Sequence, residues 1–156
     1  MNPHQEISKI HLASQITGHV FGQDVWICEA LQAPGSPVTS VGSRILPEGN
    51  KRLAGLGRTV MSLIIVERAV DENITIGDTS ERLQKLSRNE QLANFCDNIG
   101  LSRCITRNPS QQGTISPRTK ADTIEAVLGA VYKDGGLDAV DKVLKYIGFP
   151  TRAPHR

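Results

Sequence analysis

Hydrophobic positions recur at helical spacing through most of the chain. Between Asn50 and Val70, Leu53, Leu56, Val60, Leu63 and Ile64 follow the three-and-four rhythm of a helix face. The portion SLIIVERAV is apolar on several sides, which predicts a central and largely buried helix. A second run, RTKADTIEAVLGAVYKDGG, starts after Pro117, carries Ile124, Val127, Leu128 and Val131 on one face and stops at Gly135–Gly136. A last helix holds Leu137, Val140, Val143, Leu144 and Ile147, closed by Gly148 and Pro150. DVWICEAL, from Asp24 to Leu31, is a short apolar helix ending before Pro34. The spacings Asp78–Glu81 and Ser87–Glu90 read as capping boxes and predict helices near 79–86 and 88–99, the second stopped by Gly100. Residues 33–49, rich in proline and glycine, and the polar stretch Arg103–Pro117 read as loops. The pattern predicts an all-α domain of roughly seven helices with almost no strand.

Composition narrows the class. A chain of 156 residues suits one domain with a real core. It contains no run of 18 apolar residues, so no membrane span is expected. The N-terminus, MNPHQEISKIHLASQ, lacks the basic-then-apolar pattern of a secretory signal and the Arg-rich pattern of a transit peptide. Cys28, Cys96 and Cys104 form no CxxC pair, which points to reduced thiols inside a cell, with Cys28 and Cys96 as small buried hydrophobes. His4, His11, His19 and His155 make no zinc pattern. A net charge of +2 permits an acidic partner without demanding one.

Asp122 and Glu125 lie three apart on the second periodic run and share a helix face. Two readings stand. They form a solvated face with Asp122 near the positive helix start, or they are oxygen ligands for a hard cation such as magnesium. Two carboxylates alone are too few for a two-metal phosphodiester site. Further acids would have to come from another helix.

NKRLAGLGRTVM (Asn50–Met61) and KADTIEAVLGAVYKDGG (Lys120–Gly136) resemble the two signature segments of the ribonuclease III family, which read roughly NERLEFLGDxVL and KxxADxxEAxxGAxYxDxG. ITGHVFGQDVWICEALQAP resembles the family's opening turn and short helix, and RLQKLSRNEQLANFCDNIGL its intervening helix pair. The resemblance divides the chain into an N-terminal extension or helix (1–15), a ribonuclease III-like domain (16–149) and a mobile tail (150–156). It implies four catalytic carboxylates that hold Mg2+ or Mn2+ and cut double-stranded RNA. Carried over residue by residue, the first Glu falls on Ala54 and the Asp on Arg58, while Asp122 and Glu125 are retained. A further acidic position is Lys51. The aromatic that helps plug the family's symmetric dimer is Gly55, beside Leu56. Leu53, Leu56 and Gly57 match, and the resemblance makes Gly57 a close-packing residue.

The substitutions change the expected chemistry. Across the four positions a formal charge of −4 becomes −1, too little to concentrate magnesium in the same way. In the family's packing, Arg58 would reach Asp122 or Glu125 and form a fork-to-carboxylate pair in the metal's place. Glu67 lies on the far side of the same helix from Arg58, and Glu48 precedes it, so no acid is an evident replacement. No cofactor is expected, with Mg2+ or Mn2+ only if the protein is active. Lys51, Arg52, Arg107, Arg118 and Lys120 are either scattered solubilising charge or phosphate contacts along an A-form duplex. The chain ends without a separate double-stranded-RNA-binding domain, so RNA affinity is expected from this domain or a partner. Three functions compete. The first is a nuclease-dead domain binding structured RNA or a ribonucleoprotein, such as a mitochondrial ribosomal component. The second is an active but atypical double-strand endoribonuclease, and the third a regulatory dimerisation partner of an intact relative. The compartment, mitochondrial or cytoplasmic and nuclear, stays open.

Overall fold

The two periodic runs become the two helices at the centre of the molecule. The computed structural model describes residues 3–152. Within them α1 spans Pro3–Thr17, α2 Asp24–Ala30, α3 Lys51–Asp71, α4 Ile76–Leu86, α5 Asn89–Asn98 and α6 Pro117–Ile147. α6 is two rods joined at Gly136, whose φ of 81° and ψ of −170° leave helical geometry where the glycine pair predicts a stop. A 3-10 turn covers Leu101–Cys104. Inside the expected 33–49 loop lies an antiparallel ribbon of β1 (Ser40–Val41) and β2 (Arg44–Ile45), with Ser40 opposite Ile45. Strands of two residues are too short for alternation to reveal them.

α3 lies along α6 in the most extensive helix–helix contact of the molecule, with α5 and α2 flanking α6. α3 buries Leu53, Ala54, Val60, Met61, Ile64 and Ile65 on one face. Its outer face is also apolar. Leu56 is half-buried, while Leu63 and Val70 are exposed, so the expected burial holds for one side only. The helix carries more apolar residues than one core-facing stripe can hold. Among the described residues no helix is long and apolar enough to cross a membrane.

Both expected capping boxes are corrected. α4 starts at Ile76, three residues earlier than its expected start at 79, because Thr75 is the cap. Its Oγ1 accepts the Asp78 backbone N–H at 3.2 Å. The Ser87–Glu90 box does not form. Ser87 is the C-terminal cap of α4, with its N–H donating to the Leu83 carbonyl, and its helical φ/ψ is unlike the extended backbone of an N-cap. Arg88 precedes α5 without a side-chain cap.

Both ends of the described residues join the core. Ala13 is fully buried and Ile10, Leu12 and Ile16 pack on the core, so the expected boundary at residue 15 falls inside α1. Thr151 is buried and accepts a hydrogen bond from Arg68. Residues 1–2 and 153–156, including His155 and most of the expected tail, lie outside the described residues. Cys96 and Cys104 are buried, and Cys28 is only half-buried. Burial pushes the Cys28 and Cys96 thiols up to about 11, which disfavours the thiolate. His19 sits 2.8 Å from Asp134, whose carboxylate also accepts the Gly22 and Gln23 backbone N–H groups and ties the α1–α2 turn to α6.

Candidate functional site

Two glycines set the site. A Cβ on Gly57 would run into the Glu125 carbonyl oxygen, and one on Gly129 into the Leu53 carbonyl oxygen. α3 and α6 therefore touch backbone to backbone, which brings residues 54–58 beside residues 122–125. Asn50, fully buried, fixes the register. Its Nδ2 donates to the Ala30 carbonyl at 2.9 Å and to Thr123 Oγ1 at 3.1 Å.

In this frame Arg58 grips Glu125. Its Nε donates to Oε2 at 2.8 Å and its Nη2 to Oε1 at 3.0 Å, a bidentate fork. Of the two acids within expected reach, the guanidinium bonds Glu125, and Asp122 feels it only through space. The Glu125 side chain is fully buried, whereas that of Arg58 is 53% exposed. Burial pushes the Glu125 carboxyl above its usual range, and Arg58 pulls it part of the way back. Burial also raises Asp122, against the pull of Arg118, Arg58 and Lys51. Arg58 is held charged by the pair.

Around this pair opens a cleft of about 450 Å3 lined by Lys51, Ala54, Gly55, Arg58, Ser87, Asn89, Arg118 and Asp122. Lys51 and Arg118 join Arg58, so three cations face the two carboxylates and the formal charge is +1, not the −1 of the four aligned positions. The other basic candidates point elsewhere. Arg52 donates to the Ile45 carbonyl at 2.8 Å on the ribbon side. Arg107 donates to the carbonyls of Gly113 and Gln111 in its own loop. Lys120 pairs with Asp97 of α5 at 2.9 Å. Ser87 and Asn89 were not legible as site residues; the junction between α4 and α5 brings them into the wall. Glu48 and Glu67 are exposed and do not line the cleft.

The donor set does not fit the metal pair that the resemblance implies. Both Glu125 oxygens are engaged by Arg58, and among the described residues no group of three or more His, Cys, Asp or Glu side chains is placed to hold a metal ion. A hard-cation site needs more free oxygen ligands than Asp122 alone offers.

Gly55 is exposed, with open space where a Cβ would lie. Gly55→Ala is therefore expected to stabilise the isolated domain by about 1 kcal/mol through helix propensity alone. Thermal unfolding should show a midpoint rise of roughly 2–4 °C, and a fall would mean that the open space is filled by something else.

The ribonuclease III domain family matches residues 51–136. Ribonuclease 3 of Chlorobium luteolum is 37% identical over 106 residues, 64% of this chain and 38% of its own. Ribonuclease 3 of Agrobacterium fabrum is 32% identical over 116 residues, 70% of this chain and 48% of its own. The chain thus spans less than half the length of these curated relatives. Two structures of the ribonuclease III nuclease domain from Campylobacter jejuni share the fold. One superposes with a TM-score of 0.73 at 23% identity, covering 90% of this chain and 99% of that one; it is described as flexible in a region involved in dimer formation. The other gives 0.74 at 22% identity, covering 92% and 98%.

Proposed function

Because the chain belongs to the ribonuclease III family, we propose that it binds structured or double-stranded RNA through this domain without cutting it. The observation that carries this reading is the Arg58 fork on Glu125. Where the family resemblance puts a metal-binding aspartate, a guanidinium engages the retained glutamate. A cleavage site of this class depends on cations that concentrate charge at the attacked phosphate. A cleft with excess positive charge attracts the phosphate backbone itself but repels those cations. On this reading the protein serves RNA processing or a ribonucleoprotein, a ribosome among the candidates, as a binder.

A second reading has its own observation. Leu56, Leu63 and Val70 recur every seven residues on the outer face of α3, and Leu63 and Val70 are exposed at 52% and 71%. An apolar stripe of that kind suits a partner helix. We infer that a second ribonuclease III-type domain, a copy of this one or an intact relative, packs there. The two readings are compatible, since a dimer would present two clefts to one duplex.

Duplex RNA titrated into the protein at 50 and 200 mM salt tests the RNA reading. With three phosphate-contacting cations per domain, affinity should fall roughly 40-fold across that range. Absence of binding at 50 mM salt, or binding indifferent to salt, would leave the partner role as the function.

A further inference from the structure

The cleft that the family resemblance assigns to divalent cations has the construction of an anion site. We propose that it binds a phosphate group directly, with Arg58, Arg118 and Lys51 as the cationic ligands and no bridging metal. This deepens the RNA reading and rests on it for the phosphate's origin, the backbone of a duplex.

Arg58 is the organising ligand. A guanidinium carries five N–H donors. Two of them hold Glu125, at 2.8 and 3.0 Å, and the rest of a half-exposed group remains available at the cleft. Glu125, itself fully buried, acts as a positioning residue that fixes the guanidinium before a ligand arrives. Such preorganisation reduces the ordering cost of binding. Lys51 and Arg118 are exposed, and among the described residues neither forms a side-chain hydrogen bond or an ion pair. Their charges act on Asp122 only through space, so their donors can converge on a ligand.

The backbone adds to the same polarity. Lys51 is the first residue of α3, Asn89 the first of α5 and Arg118 the second of α6, so three helix starts meet at one cleft. The positive ends of their dipoles favour an anion. The starts of α3 and α5 carry no side-chain cap. Among the described residues, Asp122 is the one lining group of opposite sign. An anion would be repelled by it, whereas a metal would require it. That difference in sign separates the two kinds of ligand experimentally.

The test follows backbone amide shifts of the full chain during titration with inorganic phosphate, against chloride at equal ionic strength. Saturable shifts are expected at Arg58, Asn89, Arg118 and Asp122 with phosphate only. Lys51→Ala combined with Arg118→Ala should weaken phosphate binding about tenfold or more, the loss of two charge-assisted contacts. Both side chains are exposed, and the Arg58–Glu125 pair is untouched, so the fold is kept. Asp122→Asn should tighten phosphate binding several-fold. Shifts spread over the surface and insensitive to these substitutions would overturn the site. So would a cleft that responds to Mg2+ and loses that response with Asp122→Asn. Duplex RNA binding by the same variants separates the two ideas. RNA affinity retained in Lys51→Ala with Arg118→Ala sinks the phosphate site and spares the RNA reading. Phosphate binding without RNA binding does the reverse.

Discussion

Gly57→Ala is expected to destabilise the domain by about 3 kcal/mol or more, the high end of what overpacking costs. The added Cβ would collide with the Glu125 carbonyl oxygen, a backbone atom inside α6 that cannot swing aside as a side chain can. Relief requires α3 and α6 to separate along their whole contact, which is the largest in the fold. The Arg58–Glu125 fork would open with them, since Arg58 is the next residue along α3. The contrast with Gly55, two residues away and open to solvent, isolates the cause. Urea unfolding of the two alanine variants should move in opposite directions. A Gly57→Ala loss under 1 kcal/mol would mean that the helices do not approach as closely as described.

Arg58→Ala is the second large effect, and its size depends on pH. Removing one partner of a fully buried pair costs about 3–5 kcal/mol. Arg58 is half-exposed and water already screens the pair, so about 2–3 kcal/mol at neutral pH is the reasonable expectation. The sign of the pH dependence follows from Glu125. Its carboxyl is raised in the folded protein, so its contribution to stability is complete below the ordinary glutamate value and is lost as pH rises through the folded one. Arg58 restrains that rise. Without it the folded value climbs further and the loss extends to higher pH. Wild type and variant should therefore differ most at neutral pH and approach each other as pH falls toward the ordinary glutamate value, because the raised carboxyl favours the neutral form there. Adding Glu125→Gln to Arg58→Ala should recover much of the deficit at neutral pH. Denaturant unfolding at neutral and at acidic pH is the check, and a gap that widens toward acid would contradict the pairing.

The frame of this site was legible in the sequence because it rests on long, strongly periodic helices. Leu53, Val60 and Ile64 on α3, and Ile124, Val127 and Leu128 on α6, mark the faces that meet. Gly57 stood out as a contact residue by its place in the signature segment, and the collision at its Cβ position gives the physical reason. Local detail was harder. Ser87 and Asp78 both carry acceptors three residues before a glutamate, yet the chain uses Thr75 for one helix and no side chain for the other. The two-residue strands have no periodicity to read.

The charge of the cleft was half legible. Arg118 precedes Asp122 by four residues and Lys51 precedes Arg58 by seven, spacings that put each pair on one helix face. The four aligned positions alone leave these two cations out of the charge. Lys120 is two residues from Asp122, on the opposite side of the helix, and its pairing with Asp97 follows from that. Arg107 could not have been placed from sequence, because its partners are carbonyls of a loop with no regular geometry.

A gain of metal binding would complement these losses. Ala54→Glu with Arg58→Asp replaces three cations facing two carboxylates by two cations facing four. The proposed absence of cutting is tested most directly by incubating the wild-type chain with long double-stranded RNA and Mg2+ or Mn2+. No metal-dependent cleavage is expected, and Asp122→Asn or Glu125→Gln should change nothing. Clear metal-dependent cutting by the wild-type chain that disappears with either substitution would contradict the account.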